Sequence, residues 1–193
     1  MTALPLPPAR LLTADEFAAL PEDTSARYEL EEGVVVMVPN PQVEHQECVV
    51  GLLVQLRAQA PVDVVVLPEV DLDLELAAPT RPGFVRAPDI VVATRVARDR
   101  VRAQRGMLRA SEIVLVGEVV SPGRRRTDTV VKRGEYADAG IPYYWVVDSE
   151  GGEIVLTVCR LVGGAYTGDV TYRGSAVIAE PFPVTLDLGT LLA

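Results

Sequence analysis

Residues 88–93 read PDIVVA, and residues 113–121 read IVLVGEVVS. Both runs are short, apolar and rich in β-branched side chains, which predicts two buried β-strands. Each strand carries one carboxylate: Asp89 lies at the start of the first, and Glu118 lies near the end of the second. A buried carboxylate is costly unless a cation neutralises it. The two strands therefore predict a charged site if they are neighbours in the sheet.

A basic turn follows the second strand and leads into a predicted helix. Thr127 or Asp128 is its expected N-cap, and Gly140 is its expected C-terminal stop. Asp128, Lys132 and Tyr136 are spaced i, i+4 and i+8, which predicts that they share one helix face. Lys132 is the sole lysine of a chain that contains 17 arginines. Since lysine is a compact charge that can approach a single oxygen, its position here indicates a function, and a chance placement is the alternative.

Two acids on strands and one lysine on a helix are typical of a divalent-metal phosphodiesterase. Asp89 and Glu118 would share Mg²⁺ or Mn²⁺, because such ions take one or two carboxylates together with water and substrate phosphate. Lys132 would orient the attacking water or stabilise charge on the phosphate. Gly117 would permit a bulge or a close backbone approach beside Glu118. The simpler alternatives are strand-end capping for Asp89 and an ion pair with an arginine for Glu118.

The rest of the chain predicts helices, strands and hairpins around these two strands. The predicted elements are a short helix (14–20) with a capping box at Thr13 and Glu16, a hairpin (27–38) whose second strand is buried on both faces, a helix (43–60), an alternating strand (62–76), a polar connection (95–109), a strand (143–148) and hairpin strands (153–161 and 165–170). His45 lies at the start of the core-facing stripe of the second helix, where packing is the alternative to a role in the site. This order predicts an α/β fold: one mixed β-sheet with flanking helices and extra β-hairpins.

Length and composition bound the class of protein. With 193 residues and 49% hydrophobic residues, we expect a single domain over residues 13–193, preceded by a loose N-terminal arm over residues 1–12. No apolar run reaches the length of a membrane helix, and the first residues lack a secretory pattern, so a cytoplasmic location is expected. Cys48 and Cys159 are expected to be buried thiols. No glycine-rich phosphate loop is present, which argues against a nucleotide cofactor.

The charge is distributed unevenly. The net charge is -9, but residues 81–133 hold 13 basic and 5 acidic residues. Six arginines fall within residues 95–109, and Arg124, Arg125 and Arg126 are consecutive. We interpret the basic stretch as a local footprint for nucleic-acid phosphates, with Arg124 to Arg126 as contacts. A solvated polar linker is the alternative for the first cluster.

At these residues the chain resembles the Uma2 family (domain of unknown function 820), which belongs to the PD-(D/E)XK restriction-endonuclease-like nucleases. The resemblance covers nearly the whole chain, and it rests on residues 27–30 (RYEL) with Gly33, His45, Pro88-Asp89, residues 118–122 (EVVSP), Asp128, Lys132, Tyr136, residues 140–148 (GIPYYWVVD) and residues 184–188 (VTLDL). One departure from the wider superfamily is Val120, which occupies the position of the usual lysine two residues after the strand glutamate. In Uma2-like chains the following helix supplies that lysine, and Lys132 lies there.

The resemblance implies a restriction-endonuclease-like core and metal-dependent hydrolysis of phosphodiester bonds. It implies Asp89, Glu118 and Lys132 as catalytic residues, and Asp89, Glu118 and Glu29 as metal ligands. The residues implied to line or support the site are His45, Ser121, Asp128 and Tyr136. The expected cofactor is Mg²⁺ (or Mn²⁺), and the expected partner is nucleic acid, DNA in the first place. A homodimer is expected, because cutting both strands of a duplex favours two sites.

Two functions remain open from the sequence. The intact set of Asp89, Glu118 and Lys132 favours an active endonuclease. The acidic overall charge favours either a catalytically inactive module, on the same fold, that binds nucleic acid or another protein, or a small or single-stranded substrate. A metal-free hydrolase based on Ser121 and His45 is disfavoured, since no nucleophile-elbow pattern surrounds Ser121.

Overall fold

The computed structural model of the chain describes residues 10–21, 26–120, 127–150 and 153–192, and within them it leaves out the side chains of residues 128, 149 and 150. The helices and strands in chain order are α1 (Ala14–Ala18), β1 (Arg27–Glu31), β2 (Val34–Val38), α2 (Val43–Gln59), β3 (Val64–Pro68), β4 (Leu72–Asp73), β5 (Val85–Arg86), β6 (Ile90–Thr94), α3 (Arg95–Gln104), β7 (Leu108–Arg109), β8 (Ile113–Val119), α4 (Lys132–Asp138), β9 (Tyr143–Glu150), β10 (Glu153–Val162), β11 (Ala165–Arg173), β12 (Ser175–Ile178) and β13 (Val184–Asp187).

A six-stranded sheet in the order β11-β10-β9-β8-β6-β3 forms the centre of the molecule. The β8–β9 pair is parallel and the other pairs are antiparallel, so the sheet is mixed as expected. β6 and β8 are neighbours, with Ile90 opposite Gly117. A Cβ on Gly117 would come within 3.3 Å of the Ile90 Cβ, which confirms the expected close approach. This register brings Asp89 and Glu118 to the same end of the paired strands.

The two faces of this sheet carry separate apolar cores. One face packs Ile90 and Trp145 against the buried side of α2 and the β12–β13 hairpin, and the other packs Val91 and Val116 against α4. A second sheet, in the order β2-β1-β5-β4-β7, adds to the sheet that the sequence predicted. It supplies β1 and β5 to the site described below.

Two predicted strands differ from the structure. β2 was expected to be buried on both faces, but its Val34 and Met37 are 51% and 65% exposed. The prediction is wrong because β2 lies at the edge of its sheet and pairs only with β1. Residues 62–76 do not form one strand either: the backbone turns through positive φ at Glu69 and Glu75 (50° and 53°), which leaves only the short β3 and β4.

The helices follow the sequence more closely. The capping box of Thr13 and Glu16 opens α1, α2 spans nearly the predicted residues, and the polar connection 95–109 is largely helical as α3. The last helix starts later than predicted, because residues 127–131 form a π-helical turn and α4 begins only at Lys132. Gly140 follows this helix with φ 76°, the left-handed conformation that a glycine stop supplies.

Two further predictions can be compared with the structure. Cys48 and Cys159 are buried free thiols, as expected. Of the predicted arm, residues 1–9 lie outside the described residues, while Leu12 is 3% exposed and donates its backbone N–H to the carbonyl of Gly33. Within the described parts of the chain, no helix has the length and apolar character needed to span a membrane.

Candidate active site

The buried polar and charged side chains of the described residues are all charged: Glu29, Arg86, Asp89, Glu118 and Lys132. Three are acids and two are bases, so the group carries one net negative charge when every member is ionised. Burying charges is costly unless they are paired, and the five side chains offset one another through short contacts. The sequence predicted four of them and missed Arg86.

Glu118 and Lys132 form the centre of this group. Glu118 lies in the last part of β8 and is 2% exposed. Its Oε1 accepts hydrogen bonds from Lys132 Nζ at 3.0 Å and from the Tyr136 hydroxyl at 2.6 Å. Lys132 and Tyr136 are one turn apart on α4, so the predicted shared face is confirmed for these two residues. Burial raises the pKa of Tyr136 well above its ordinary value, and the nearby Glu118 adds to this, so the phenol stays a neutral donor.

Asp89 is fixed by groups on two different elements. Its Oδ2 accepts a hydrogen bond from the backbone N–H of Val119 at 2.7 Å and lies 3.1 Å from His45 Nε2 on α2. His45 therefore contacts one of the three predicted metal ligands. Burial lowers the pKa of His45, but the hydrogen bond and the negative charge of Asp89 outweigh it and leave the pKa raised. The other ring nitrogen, Nδ1, is buried and has no hydrogen-bond partner among the described residues.

Glu29 is surrounded by hydrogen-bond donors. Arg86 donates to its Oε2 at 2.8 Å, the backbone N–H of Ala87 donates to its Oε1 at 3.3 Å, and Lys132 Nζ lies 3.4 Å from the same Oε1. Burial raises the pKa of Glu29, but Lys132 and Arg86 together outweigh burial and lower it. Glu29 is thus a buried counter-ion of both cations of the site.

Arg86 connects Glu29 to the helix that carries Lys132. It lies on β5, opposite the β1 strand, and it is 1% exposed. It also donates to Glu31 at 2.6 Å, and through Nε and NH2 to both oxygens of Glu135 at 2.7 and 2.6 Å. The signal in the sequence was an arginine next to the apolar Phe84-Val85, three residues before Asp89, but its partners lie too far away along the chain to be predicted.

A cavity of about 360 Å³ lies between the start of α2 and the ends of β8 and β9. Its lining includes His45, Cys48, Val119, Val120, Val147 and Asp148. His45 and Val119 line this cavity and also contact the Asp89 carboxylate, so the cavity lies one residue away from that acid. Open space next to buried acids is where a substrate would have to approach them.

The comparisons with known proteins identify the family of this chain. The model of the Uma2 family, described as "Putative restriction endonuclease", matches residues 14–189. This chain belongs to the Uma2 family. The sequence-based identification is therefore confirmed. No curated protein matches the chain.

A solved structure supports the fold. The chain is similar to a crystal structure from Anabaena variabilis that is described as a "putative nuclease belonging to DUF820", with a TM-score of 0.68 and 18% identity, over 94% of this chain and 97% of that one. At this identity the likeness establishes the fold alone. It confirms the predicted α/β architecture of the family.

The metal ligands of this Uma2 protein stay a prediction. Among the described residues, no group of three or more His, Cys, Asp and Glu side chains is arranged to hold a metal ion. Asp89 and Glu118 lie at the same strand ends, whereas Glu29 faces Arg86 and Lys132. We therefore treat Asp89 and Glu118 as the primary candidates and Glu29 as their neighbour.

Several predicted residues fall outside the described part of the Uma2 domain. These are Ser121, Arg124, Arg125, Arg126 and the side chain of Asp128. The earlier arginine cluster is described, and part of its charge is already paired. On α3, Arg98 donates to Asp99 at 2.8 Å and Arg100 donates to Glu112 at 2.7 Å. These contacts favour a structural role for part of the cluster.

Proposed function

We propose that this protein is a metal-dependent endonuclease that hydrolyses the phosphodiester bonds of DNA. The observation that carries the proposal is the contact between the buried carboxylate of Glu118 and the buried ammonium of Lys132, beside Asp89. Lys132 is the sole lysine of the chain, and it lies on the helix from which the resemblance to Uma2-like chains implies that a catalytic lysine comes. An ion pair kept only for stability gains little from such burial, since apolar residues would pack equally well.

The donor set suits a hard divalent cation. Asp89 and Glu118 offer carboxylate oxygens, and the buried group has one net negative charge that a cation would offset. When bound there, Mg²⁺ or Mn²⁺ would polarise a phosphoryl oxygen and lower the pKa of a water molecule. Val119 and His45 hold the Asp89 carboxylate in place, and Tyr136 does the same for Glu118.

Lys132 would act directly on the reacting phosphate. Its ammonium is held by Glu118 and Glu29, at 3.0 and 3.4 Å, so its position is fixed before substrate arrives. A preorganised positive charge in a buried site stabilises the negative charge that develops on a phosphoryl group. It can also orient an attacking water by hydrogen bonding. Arg124, Arg125 and Arg126 follow β8 in the sequence, and we propose them as contacts for DNA phosphates; duplex cleavage would involve a homodimer.

Cleavage assays with matched variants test this proposal. Supercoiled plasmid, single-stranded DNA and RNA would each be incubated with Mg²⁺ or Mn²⁺. Asp89→Asn, Glu118→Gln and Lys132→Met keep the side-chain size and remove the charge, and each should lower the rate by at least about 10²-fold. Glu180→Gln is the control, since this exposed acid pairs with Arg160 and Tyr143 far from the buried group.

Metal binding separates an inactive protein from an active one with an unknown substrate. Mn²⁺ titration by calorimetry should give binding that Asp89→Asn and Glu118→Gln both weaken. Saturation at about 100 times the dissociation constant should also stabilise the wild type by about 2.7 kcal/mol. No cleavage together with no metal binding would favour the inactive binding module instead. Cleavage that survives all three substitutions would contradict the proposed site.

A further inference from the structure

Arg86 is surrounded by three carboxylates and lies outside the group that would meet a substrate. It is 1% exposed, and its partners are Glu29, Glu31 and Glu135. Glu29 is buried with it, whereas the side chains of Glu31 and Glu135 are 42% and 18% exposed. Glu29 is shared with Lys132, but Glu31 and Glu135 are two further anions beside one arginine, so the arrangement exceeds what is needed to offset the charge of Arg86.

Two of the three carboxylates connect Arg86 to Lys132 or to its helix. Glu29 contacts the Lys132 ammonium directly at 3.4 Å. Glu135 lies on the same helix, three residues after Lys132, and it receives two parallel N–H bonds from Arg86. This two-bond contact fixes the orientation of the Glu135 carboxylate relative to Arg86 as well as the distance between them. A lysine in place of Arg86 could not fix that orientation. Glu31 lies at the end of β1, and it takes part in neither of these two connections.

Helix α4 needs this kind of anchor. It has only seven residues, and a π-helical turn precedes it. A helix of this length has little stability of its own and depends on tertiary contacts. Arg133 ties the far side of α4 to β11 through Asp169 at 2.9 Å. On the near side, Arg86 of β5 joins Glu135 of the helix to Glu29 and Glu31 of β1, in addition to the contact of Lys132 itself with Glu29.

We propose that Arg86 is a positioning residue, which holds Lys132 against Glu118 through Glu29 and through Glu135. In this role Arg86 would act through the two glutamates rather than on the reacting phosphate. The inference rests on the proposed function in one respect: the catalytic use of Lys132 makes its position matter. The placement itself can be tested without any nuclease activity.

The sole lysine of the chain makes a direct test possible. Lys132 is 3% exposed in the folded protein and is the only side-chain amine present. Acetylation by an amine-reactive ester, followed by peptide mass spectrometry, therefore reports how often Lys132 leaves its buried position. Wild type, Glu135→Gln and Glu31→Gln would be compared under native conditions. Each variant leaves Arg86 with two carboxylates, so both should fold.

Both variants remove one carboxylate partner of Arg86, but Glu135 lies on α4 and accepts two bonds, whereas Glu31 lies on β1 and accepts one. We expect Glu135→Gln to raise the acetylation rate of Lys132 by about tenfold or more, since a charge-assisted hydrogen bond no longer opposes local opening. Glu31→Gln should stay within about twofold of wild type, because its lost bond opposes no movement of α4. If the endonuclease activity is found, Glu135→Gln should lower kcat with KM unchanged, and Glu31→Gln should change neither.

Three results would overturn the inference. Equal acetylation rates in Glu135→Gln and Glu31→Gln would show that Arg86 only needs compensating charge. A rate in Glu135→Gln equal to that of wild type would show that the two-bond contact does not hold α4. A rate in Glu135→Gln whose urea dependence matches that of global unfolding would show loss of the whole fold rather than movement of the helix. A protein that neither cleaves nucleic acid nor binds metal would defeat the proposed function and leave the acetylation comparison valid.

Discussion

Tyr136 and Tyr166 make a pair of buried phenols whose hydrogen bonds end on different acceptors. Tyr136 is fully buried and donates to the charged carboxylate of Glu118 at 2.6 Å. Tyr166 is 7% exposed and donates to the neutral backbone carbonyl of Ile141 at 2.8 Å. Both rings pack in the same core around Tyr144, each with its centroid 5.5 Å from that ring. Replacement by phenylalanine keeps the ring and removes only the hydroxyl.

The charge of each acceptor sets the expected decrease in the free energy of unfolding of each variant. A hydrogen bond to a charged group contributes about 1.5–3 kcal/mol, and a neutral one about 0.5–1.5 kcal/mol. Because Lys132 still donates to Glu118, we expect Tyr136→Phe to lower the free energy of unfolding by about 2 kcal/mol, in the lower half of that range. Tyr166→Phe should cost about 1 kcal/mol. For a chain of this length these losses correspond to Tm decreases of about 4–8 °C and about 2–4 °C.

Urea unfolding measures both losses in one experiment. Trp145 is the only tryptophan and is fully buried, so its fluorescence reports the transition. Equal m-values would show that the two variants differ from wild type in stability rather than in the extent of unfolding. A loss below about 0.5 kcal/mol for Tyr136→Phe would refute the charged hydrogen bond to Glu118. A loss for Tyr166→Phe as large as that for Tyr136→Phe would refute the reasoning from acceptor charge.

Three further predictions concern packing, thiols and acid. Gly117→Ala should lower the free energy of unfolding by about 1–3 kcal/mol through overpacking against Ile90. Gly134→Ala should raise the free energy of unfolding by about 0.4–1 kcal/mol, because its Cβ would meet nothing within 4 Å. Chemical denaturation measures both changes, and equal effects would contradict the close approach of Gly117 to Ile90. Burial raises the thiol pKa of Cys48 to about 12 and that of Cys159 to about 11. A thiol reagent at pH 8 should therefore label neither cysteine until urea is added. Rapid labelling of the native protein would contradict the burial of these thiols. Because the pKa of Glu29 is held below its ordinary value of 4.5, its contribution to stability is present above that pH and is lost as the pH falls through the lower folded-state value. Glu29→Gln should therefore flatten the acid dependence of the free energy of unfolding, and an unchanged slope would show that Glu29 gains nothing from its cations.

The local pattern of the chain determined much of the fold. The apolar runs around Asp89 and Glu118 predicted the two central strands, and the capping box at Thr13 predicted the start of α1. These signals are local, because side-chain period and capping residues act within a few positions of one another. The spacing of Lys132 and Tyr136 likewise predicted their shared face, since one helical turn separates them. Only a π-helical turn, which the spacing could not reveal, moved the start of α4 to Lys132.

Burial and charge pairing depended on the tertiary structure. The apolar sequence of β2 is compatible with a central strand or an edge strand, and only the sheet order left Met37 exposed. Arg86 is one of 17 arginines in the sequence, and its partners Glu29 and Glu135 are 57 and 49 positions away. Such distant contacts form only when two sheets and a helix meet, and the cost of burying charge then requires the partners to be near. The sequence by itself therefore predicted most residues of the candidate site, and the tertiary structure decided which of them face one another, because that depends on contacts between segments far apart in the chain.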